Sequence, residues 1–146
     1  MRHHNQARVN FLKSIQELLP PFHWPLGSYI IAGSGPMAIR NIRDAADIDI
    51  LVNKSLWKAL QAQYEATGST KNRIAIGKVE IWKDWMNLTG KIDEMIENCE
   101  MIEGFPFMKL CYVIDWKQYL GRPKDLVDIR LISDHLQKER SGCIYG

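Results

Sequence analysis

Two carboxylates, Asp47 and Asp49, flank a single isoleucine in the segment Asp47–Val52. This segment is typical of a β-strand, in which alternate side chains share a face, so both carboxylates lie on one face about 6.5–7 Å apart. Two such charges are costly to bury unless something offsets them. A basic side chain or a divalent cation bound by the carboxylate oxygens would do so. For an isolated pair, the plainer interpretation is that both face solvent or pair with Arg40 or Arg43.

A glycine-rich turn, Gly33-Ser34-Gly35, directly follows the apolar run Ser28–Ala32. The run is typical of a buried strand, and glycines let the backbone turn sharply and approach a ligand closely. If a short helix follows over Met37–Arg40, its first N–H groups and the Ser34 hydroxyl are free to hold a phosphate. Taken alone, the same residues predict only a tight turn.

The order of these two features resembles the nucleotidyltransferase superfamily, whose catalytic domain has the DNA polymerase β-like palm. That family has a strand, a Gly-Ser turn, a short helix and then an Asp-x-Asp strand, an order that Gly33-Ser34 and Asp47-Ile48-Asp49 follow here. The family also has a third acidic residue on a later strand. Glu80 fills that position on a predicted strand, and Asp84 is a weaker candidate.

The C-terminal part of the chain adds to the resemblance. Lys117 and the segment Arg122-Pro123-Lys124-Asp125-Leu126-Val127-Asp128 are similar to the Lys…Arg-x-Lys-Asp-x-x-Asp segment of small bacterial nucleotidyltransferase-like proteins, including the abortive-infection toxin-type branch. The resemblance covers residues 28 to 132 and implies a nucleotidyltransferase fold.

The activity that this resemblance implies is transfer of a nucleoside monophosphate from a nucleoside triphosphate such as ATP to an acceptor hydroxyl, with release of pyrophosphate. Catalysis of this kind rests on positioning and charge neutralisation. The resemblance implies two Mg²⁺ ions, or Mn²⁺, held by three residues that are also the catalytic ones: Asp47, Asp49 and Glu80. It further implies a group of residues that contact the phosphates: Gly33, Ser34, Arg40, Arg43, Lys117 and Lys124.

The basic members of that group also have a plainer interpretation. Arg40 and Arg43 are near enough in sequence to pair with Asp44 on the surface. The cations near the start of the last predicted helix have acidic neighbours at helical spacing, which favours ion pairs; the cations are Lys117, Arg122 and Lys124, and the acids are Asp115, Asp125 and Asp128.

Two other functions fit the same residues. An Asp-x-Asp pair holds a single Mg²⁺ or Mn²⁺ against a sugar nucleotide in glycosyltransferase-type enzymes, although this chain is short for one. A nucleotidyltransferase fold can also act as a non-catalytic module or as a component of a toxin–antitoxin pair. The expected partners are a nucleoside triphosphate, an acceptor that is a small molecule, a protein or an RNA end, and either a partner protein or a second copy of the chain.

The elements that must position these residues alternate early in the chain, which predicts a mixed α/β or α+β fold with a small mixed sheet flanked by helices. A single domain over residues 1–146 is expected. The predicted strands cover 28–32, 47–52, 73–76 and 78–83, and residues 105–107 are extended. The predicted helices cover about 5–19, 37–40, 56–66 with Ser55 as its cap and Gly68 as its stop, a segment from a Thr89 cap to about 98, 112–120 and about 123–138. The last helix is expected to bury Leu126, Ile129, Ile132 and Leu136 and to fray from Glu139.

Composition excludes several other classes. The 146 residues have a formal net charge of +2, too small for a protein that coats nucleic acid. No stretch approaches the roughly 20 consecutive apolar residues of a membrane span, and no signal peptide is recognisable. Three cysteines without metal-type spacing predict free thiols and a cytoplasmic protein.

Overall fold

A computed structural model describes the backbone of residues 3–67 and 71–145, with side chains over 5–67 and 71–139. Within these ranges the chain forms six strands and six α-helices. The strands are β1 (Tyr29–Ala32), β2 (Ile48–Val52), β3 (Arg73–Ile76), β4 (Val79–Trp82), β5 (Glu100–Ile102) and β6 (Phe105–Phe107). The helices are α1 (His3–Leu18), α2 (Gly35–Ile39), α3 (Lys54–Gln61), α4 (Ile92–Glu97), α5 (Leu110–Leu120) and α6 (Pro123–Tyr145), and short 3-10 helices cover Pro20–Phe22 and Met86–Lys91.

All six strands belong to one mixed sheet with the order β3-β4-β2-β1-β6-β5. β1 and β2 are antiparallel neighbours at its centre. β2 pairs in parallel with β4, and β1 pairs in parallel with β6. The two outer pairs, β3–β4 and β5–β6, are antiparallel. This sheet with its flanking helices confirms the predicted mixed class.

The sheet separates two apolar cores, one on each face. Ile48, Ile50 and Val52 of β2 pack on one face together with side chains of α1 and α3. Leu51 lies on the opposite face among residues of α4, α5 and α6. Because side chains alternate along a strand, Asp49 shares the face of Leu51. The carboxylate therefore lies on the side of the sheet that α5 and α6 cover.

The predicted cap of α3 is wrong. The helix begins at Lys54, and the side chain of Asn53 is its cap, accepting a 2.8 Å hydrogen bond from the Leu56 N–H. Asn53 precedes Ser55 and has the extended backbone that a cap requires, so it satisfies the first free N–H groups. The helix ends at Gln61 instead of 66, and Gly68, predicted as its stop, lies outside the described residues.

The segment before β5 also differs from the prediction. Thr89 lies inside the 3-10 helix Met86–Lys91, and α4 begins only at Ile92. The Thr89 hydroxyl accepts from the Trp85 N–H and donates to the Met86 carbonyl, so it stabilises the 3-10 turn instead of capping α4. The sequence analysis did not include β5, which has only three residues, the first of them the charged Glu100. It also placed the start of α5 two residues too late.

The face that α6 buries is not the apolar stripe that was expected. Leu126 is 58% exposed, whereas Asp125 is fully buried and Asp128 nearly so. Of the predicted stripe, Ile132 is fully buried, and Ile129 and Leu136 are half-buried. The helix also continues to Tyr145 instead of fraying from Glu139. Partners for the two buried aspartates come from other segments, as described below. None of the helices in the described ranges is long and apolar enough to cross a membrane.

Candidate functional site

Asp49 and Glu80 are neighbours across the parallel pair β2–β4. Their Cα atoms are paired in register, which places the two residues on adjacent strands about 4.8 Å apart. Each lies near the start of its strand, and both side chains are on the face of Leu51 and Trp82. The structure therefore brings together two of the three predicted acids from positions 31 residues apart in the sequence.

Gly33 packs directly against the Asp49 carboxylate. Its φ is +65°, a conformation that residues with a side chain rarely adopt. A Cβ atom at this position would overlap Asp49 Oδ2 and lie 3.0 Å from the Cβ and Cγ atoms of Asp49. The glycine is thus required both by the turn after β1 and by the closeness of the carboxylate.

Burial raises the pKa of Asp49 from its ordinary value of 3.8 to about 6. The negative charges of Glu80 and Asp47 contribute to this rise, whereas a 3.1 Å hydrogen bond from the Trp82 indole N–H and the charge of Arg73 oppose it. The direction of the shift means that the ionised form of Asp49 is not fully compensated by the protein around it. A cation at this position would favour the ionised form.

The other two predicted acids differ in their surroundings. Glu80 is half-buried and lies 3.6 Å from Nη1 of Arg73, a β3 residue that is paired with Trp82 and so lies diagonally across from Glu80. Asp47 is exposed, in the loop before β2, and is near enough to raise the pKa of Asp49 by repulsion. When ionised, the three acids have three negative charges against the single positive charge of Arg73. Across the part of the chain that the structure describes, no three acidic, histidine or cysteine side chains are grouped closely enough to hold a metal ion.

Ser34, the next residue of the same turn, contacts a cation. Its hydroxyl oxygen accepts a 2.8 Å hydrogen bond from Arg43 Nη2. The same guanidinium donates from Nε and Nη2 to both carboxylate oxygens of Asp128, at 2.9 and 3.0 Å. Arg43 therefore pairs with Asp128 of α6 and not with Asp44, whose backbone carbonyl it contacts through Nη1.

A buried cluster of charges surrounds Asp128. The Lys117 ammonium, on a side chain only 4% exposed, lies 2.8 Å from Asp128 and 3.7 Å from Asp125. Arg122 donates from its backbone and its guanidinium to Asp125. For Lys117 and Arg122 this is the ion-pair alternative of the sequence analysis. We call the set Lys117, Arg122, Asp125, Asp128 and Arg43 the α5–α6 charge cluster; three cations face two carboxylates, so it has an excess of one positive charge.

The two carboxylates of the charge cluster are held in their ionised form. Hydrogen bonds from Arg122 hold the pKa of Asp125 below its ordinary value despite burial. Burial acts to raise the pKa of Asp128, but hydrogen bonds from Arg43 and Lys117 outweigh it and lower the pKa. Hydrogen bonds that involve charged groups in a site with little water are stronger than hydrogen bonds between neutral groups. The cluster therefore links α5, α6 and the Ser34 turn by fixed charges.

Arg40 lies in a different environment from Arg43. Its guanidinium pairs with Glu100 of β5 and donates to the Pro36 carbonyl. It lines a cavity of about 570 Å³ together with Arg8, Lys109, His135 and other residues, and neither Asp49 nor Glu80 borders that cavity. Lys124 is exposed in the first turn of α6. The structure thus places Gly33, Ser34, Arg43 and Asp49 at one turn, and Arg40 apart from them.

Sequence reasoning missed two parts of this arrangement. The indole N–H of Trp82 donates to Asp49 Oδ1 and its ring packs edge-on against Trp85, and nothing in the sequence indicates this contact with the acidic pair. Asp125 and Asp128 were identified as part of the family-like segment and as ion-pair partners of nearby cations, but their burial was not expected. Their spacing with Ile132 places all three on one helix face, and that spacing was the available signal for a buried charged face.

No protein-family model matches the chain, and no curated protein matches it. The likeness to nucleotidyltransferases therefore stays a prediction from the residues quoted above.

Proposed function

We propose that this chain is a nucleotidyltransferase, which transfers a nucleoside monophosphate from a nucleoside triphosphate to an acceptor hydroxyl and releases pyrophosphate. One observation carries the proposal: a single turn, Gly33-Ser34, contacts Asp49 of the acidic pair through Gly33 and Arg43 of the positively charged cluster through Ser34. A triphosphate with its metal needs both, since the metal requires carboxylate oxygens and the phosphates require donors and positive charge.

The donor chemistry at Asp49 and Glu80 fits a hard divalent cation. Carboxylate oxygens are the ligands that Mg²⁺ prefers. Burial, and to a smaller extent the charges of Glu80 and Asp47, raise the pKa of Asp49, and a bound cation would offset both effects. Asp49 and Glu80 would hold the ion, with Asp47 as the further acid of the loop before β2. When bound, such an ion would lower the pKa of the acceptor hydroxyl and stabilise the charge that develops on the phosphates.

The remaining work of the reaction falls to the turn and the charge cluster. Ser34 would donate its hydroxyl proton to a phosphate oxygen, and the close backbone approach that Gly33 allows would bring the phosphates to the carboxylates. The excess positive charge behind Ser34 favours an anion there. Lys124, exposed in the first turn of α6, is the further candidate for a phosphate contact. Transfer then requires only that the acceptor hydroxyl be held in line with the bond that breaks.

A second candidate is a non-catalytic module with the same fold. It is favoured by the Trp82 N–H bond, which already occupies Asp49 Oδ1, and by the lack of a three-ligand group within the described ranges. In that case Asp49 would be a structural carboxylate, and the chain would bind a partner without turning over a nucleotide.

Label transfer discriminates these functions. The protein is incubated with each nucleoside triphosphate carrying a radiolabelled α-phosphate, with Mg²⁺ or Mn²⁺ and a cell extract as the source of acceptor. We expect label to move to an extract component, and we expect the transfer to vanish in Asp49→Asn and to persist in Asp115→Asn, a matched change at an exposed aspartate of α5.

Two further measurements make a negative result informative. Binding of Mn²⁺ to the protein alone is followed by the loss of its free-ion paramagnetic resonance signal. If neither label transfer nor Mn²⁺ binding depends on Asp49, the proposal is wrong and the non-catalytic module is supported. Turnover of a sugar nucleotide in place of a triphosphate would support a glycosyltransferase-type enzyme instead.

A further inference from the structure

The contacts of Arg43 occupy its guanidinium almost completely. Nε and one Nη2 hydrogen donate to Asp128, the other Nη2 hydrogen donates to Ser34, and Nη1 donates to the Asp44 carbonyl. An arginine has five such hydrogens, so four of them are already committed. Its charge is also paired with a carboxylate. These facts leave Arg43 poorly placed to be a main phosphate ligand itself.

The bond from Arg43 assigns the Ser34 hydroxyl oxygen the role of acceptor. The guanidinium has no acceptor atom, so Ser34 Oγ must accept in this contact. The single hydroxyl hydrogen then has to point elsewhere, and the structure gives it no acceptor within the described residues. Ser34 Oγ is therefore held as an acceptor toward Arg43, and its hydroxyl hydrogen remains available for donation to a ligand.

Arg43 is itself held from behind. Both oxygens of Asp128 accept from Arg43, and Asp128 Oδ2 also accepts from Lys117 at 2.8 Å. The carboxylate of Asp128 is only 9% exposed and the Lys117 side chain only 4%. A bidentate Arg–carboxylate pair has a defined geometry that one ammonium cannot reproduce. The buried ends of α5 and α6 therefore fix the position of the guanidinium.

We infer that Arg43 is a positioning residue that acts on a phosphate through Ser34, and that Asp128 and Lys117 act through Arg43. The chain Lys117–Asp128–Arg43–Ser34 links the C-terminal helix pair to the turn and orients one hydroxyl for donation. The phosphate as ligand rests on the proposed function, but the orientation of Ser34 does not.

The orientation of Ser34 is tested first, without any ligand. The Hα–Hβ coupling constants of Ser34 in the labelled protein report whether its side chain keeps one rotamer. We expect one rotamer in the wild type and averaged couplings in Arg43→Lys and Asp128→Asn. The matched controls Arg130→Lys and Asp134→Asn, at exposed positions of α6, should match the wild type. Unchanged couplings in both Arg43→Lys and Asp128→Asn would overturn the inference.

The action through Ser34 is tested with inorganic tripolyphosphate and Mg²⁺, a probe without a base, by calorimetric titration. Ser34→Ala should weaken binding by about ten- to a hundredfold, the range for a hydrogen bond to a charged group. Arg43→Lys keeps the positive charge but loses the planar set of donors of the guanidinium, so it should weaken binding by a similar factor. In the Ser34→Ala background, Arg43→Lys should have little further effect.

The double variant separates the possible results. If the losses from Ser34→Ala and Arg43→Lys multiply, Arg43 contacts the phosphate independently and the inference is wrong. Arg43→Lys is the first variant because the Arg43 side chain is 36% exposed, whereas Asp128→Asn changes a buried group. If the wild type does not bind the probe at all, the proposed function fails, and the coupling constants still decide whether Arg43 orients Ser34.

Discussion

Replacing Asp49 with asparagine should make the metal-free protein more stable at neutral and higher pH. The pKa of Asp49 is about 6 in the folded protein against 3.8 ordinarily. The folded state therefore binds the proton more tightly than the unfolded state does. The stabilising contribution of Asp49 to the free energy of unfolding is present below pH 4. It decreases as the pH rises from about 4 to 6 and is lost above pH 6.

The size of the effect follows from the shift. About two pKa units at 1.36 kcal/mol each give up to about 3 kcal/mol at pH 8. Asparagine keeps the oxygen that accepts from Trp82 and removes the charge. For a chain of this length, such a difference raises the unfolding midpoint by about 6–12 °C.

Urea denaturation from pH 4 to pH 8 with a chelator present measures this prediction. We expect wild type and Asp49→Asn to be similar at pH 4 and to diverge as the pH rises, with the variant more stable. Asp115→Asn, an exposed control, should follow the wild type. Saturating Mg²⁺ should reduce the difference in the free energy of unfolding between the two proteins, because it binds and stabilises only the wild type. Parallel pH profiles, or a variant less stable at pH 8, would refute the reasoning.

Three further predictions concern the packing around the site. Gly33→Ala should lower the free energy of unfolding by several kcal/mol and by more than Gly77→Ala, because both have positive φ but only Gly33 would place a Cβ against Asp49. Trp82→Phe should raise the pKa of Asp49 further, since the indole bond lowers it, as carboxyl carbon resonances will report. Ile132→Ala should cost about 2–4 kcal/mol in a urea melt, because Ile132 is fully buried.

Each of these predictions has an outcome that contradicts it. If Gly33→Ala and Gly77→Ala lower the free energy of unfolding equally, the Asp49 carboxylate moves away from the new methyl group without cost. An unchanged pKa in Trp82→Phe would mean that the indole bond is absent in solution. If Leu126→Ala, at a largely exposed position, destabilises as much as Ile132→Ala, the buried face of α6 is assigned wrongly.

The strands of the site were predictable because their sequences strongly favour extended structure. A short β-branched run ended by glycines predicted β1, and alternation of acidic and apolar residues predicted β2 and the face of Asp49. The position of Glu80 on β4 followed the same period. That β2 and β4 are parallel neighbours, so that Asp49 and Glu80 lie side by side, depends on pairing between distant segments. Local periodicity does not contain that information.

The sequence predicted the local ion pairs of the charge cluster but not the burial of its aspartates or its bond to Arg43. The expectation for α6 assumed that a buried helix face is apolar. Asp125 and Asp128 are buried because Lys117, Arg122 and Arg43 neutralise them. Of these partners, Arg43 is 85 residues from Asp128. The prediction of the α3 cap was also wrong. Asn53 and Ser55 are both residue types that cap helices well, and the backbone conformation decides which of them is the cap.

The bond between Arg43 and Asp128 joins positions 85 residues apart, and this separation has a consequence for synthesis on the ribosome. The glycine-serine turn and its acidic strand leave the ribosome before α5 and α6, the two helices that hold Arg43 in place. Until then the arginine has no carboxylate to fix it, and the serine hydroxyl has no enforced direction. Whatever this turn binds, it therefore acquires its final form only after α5 and α6 have been synthesised.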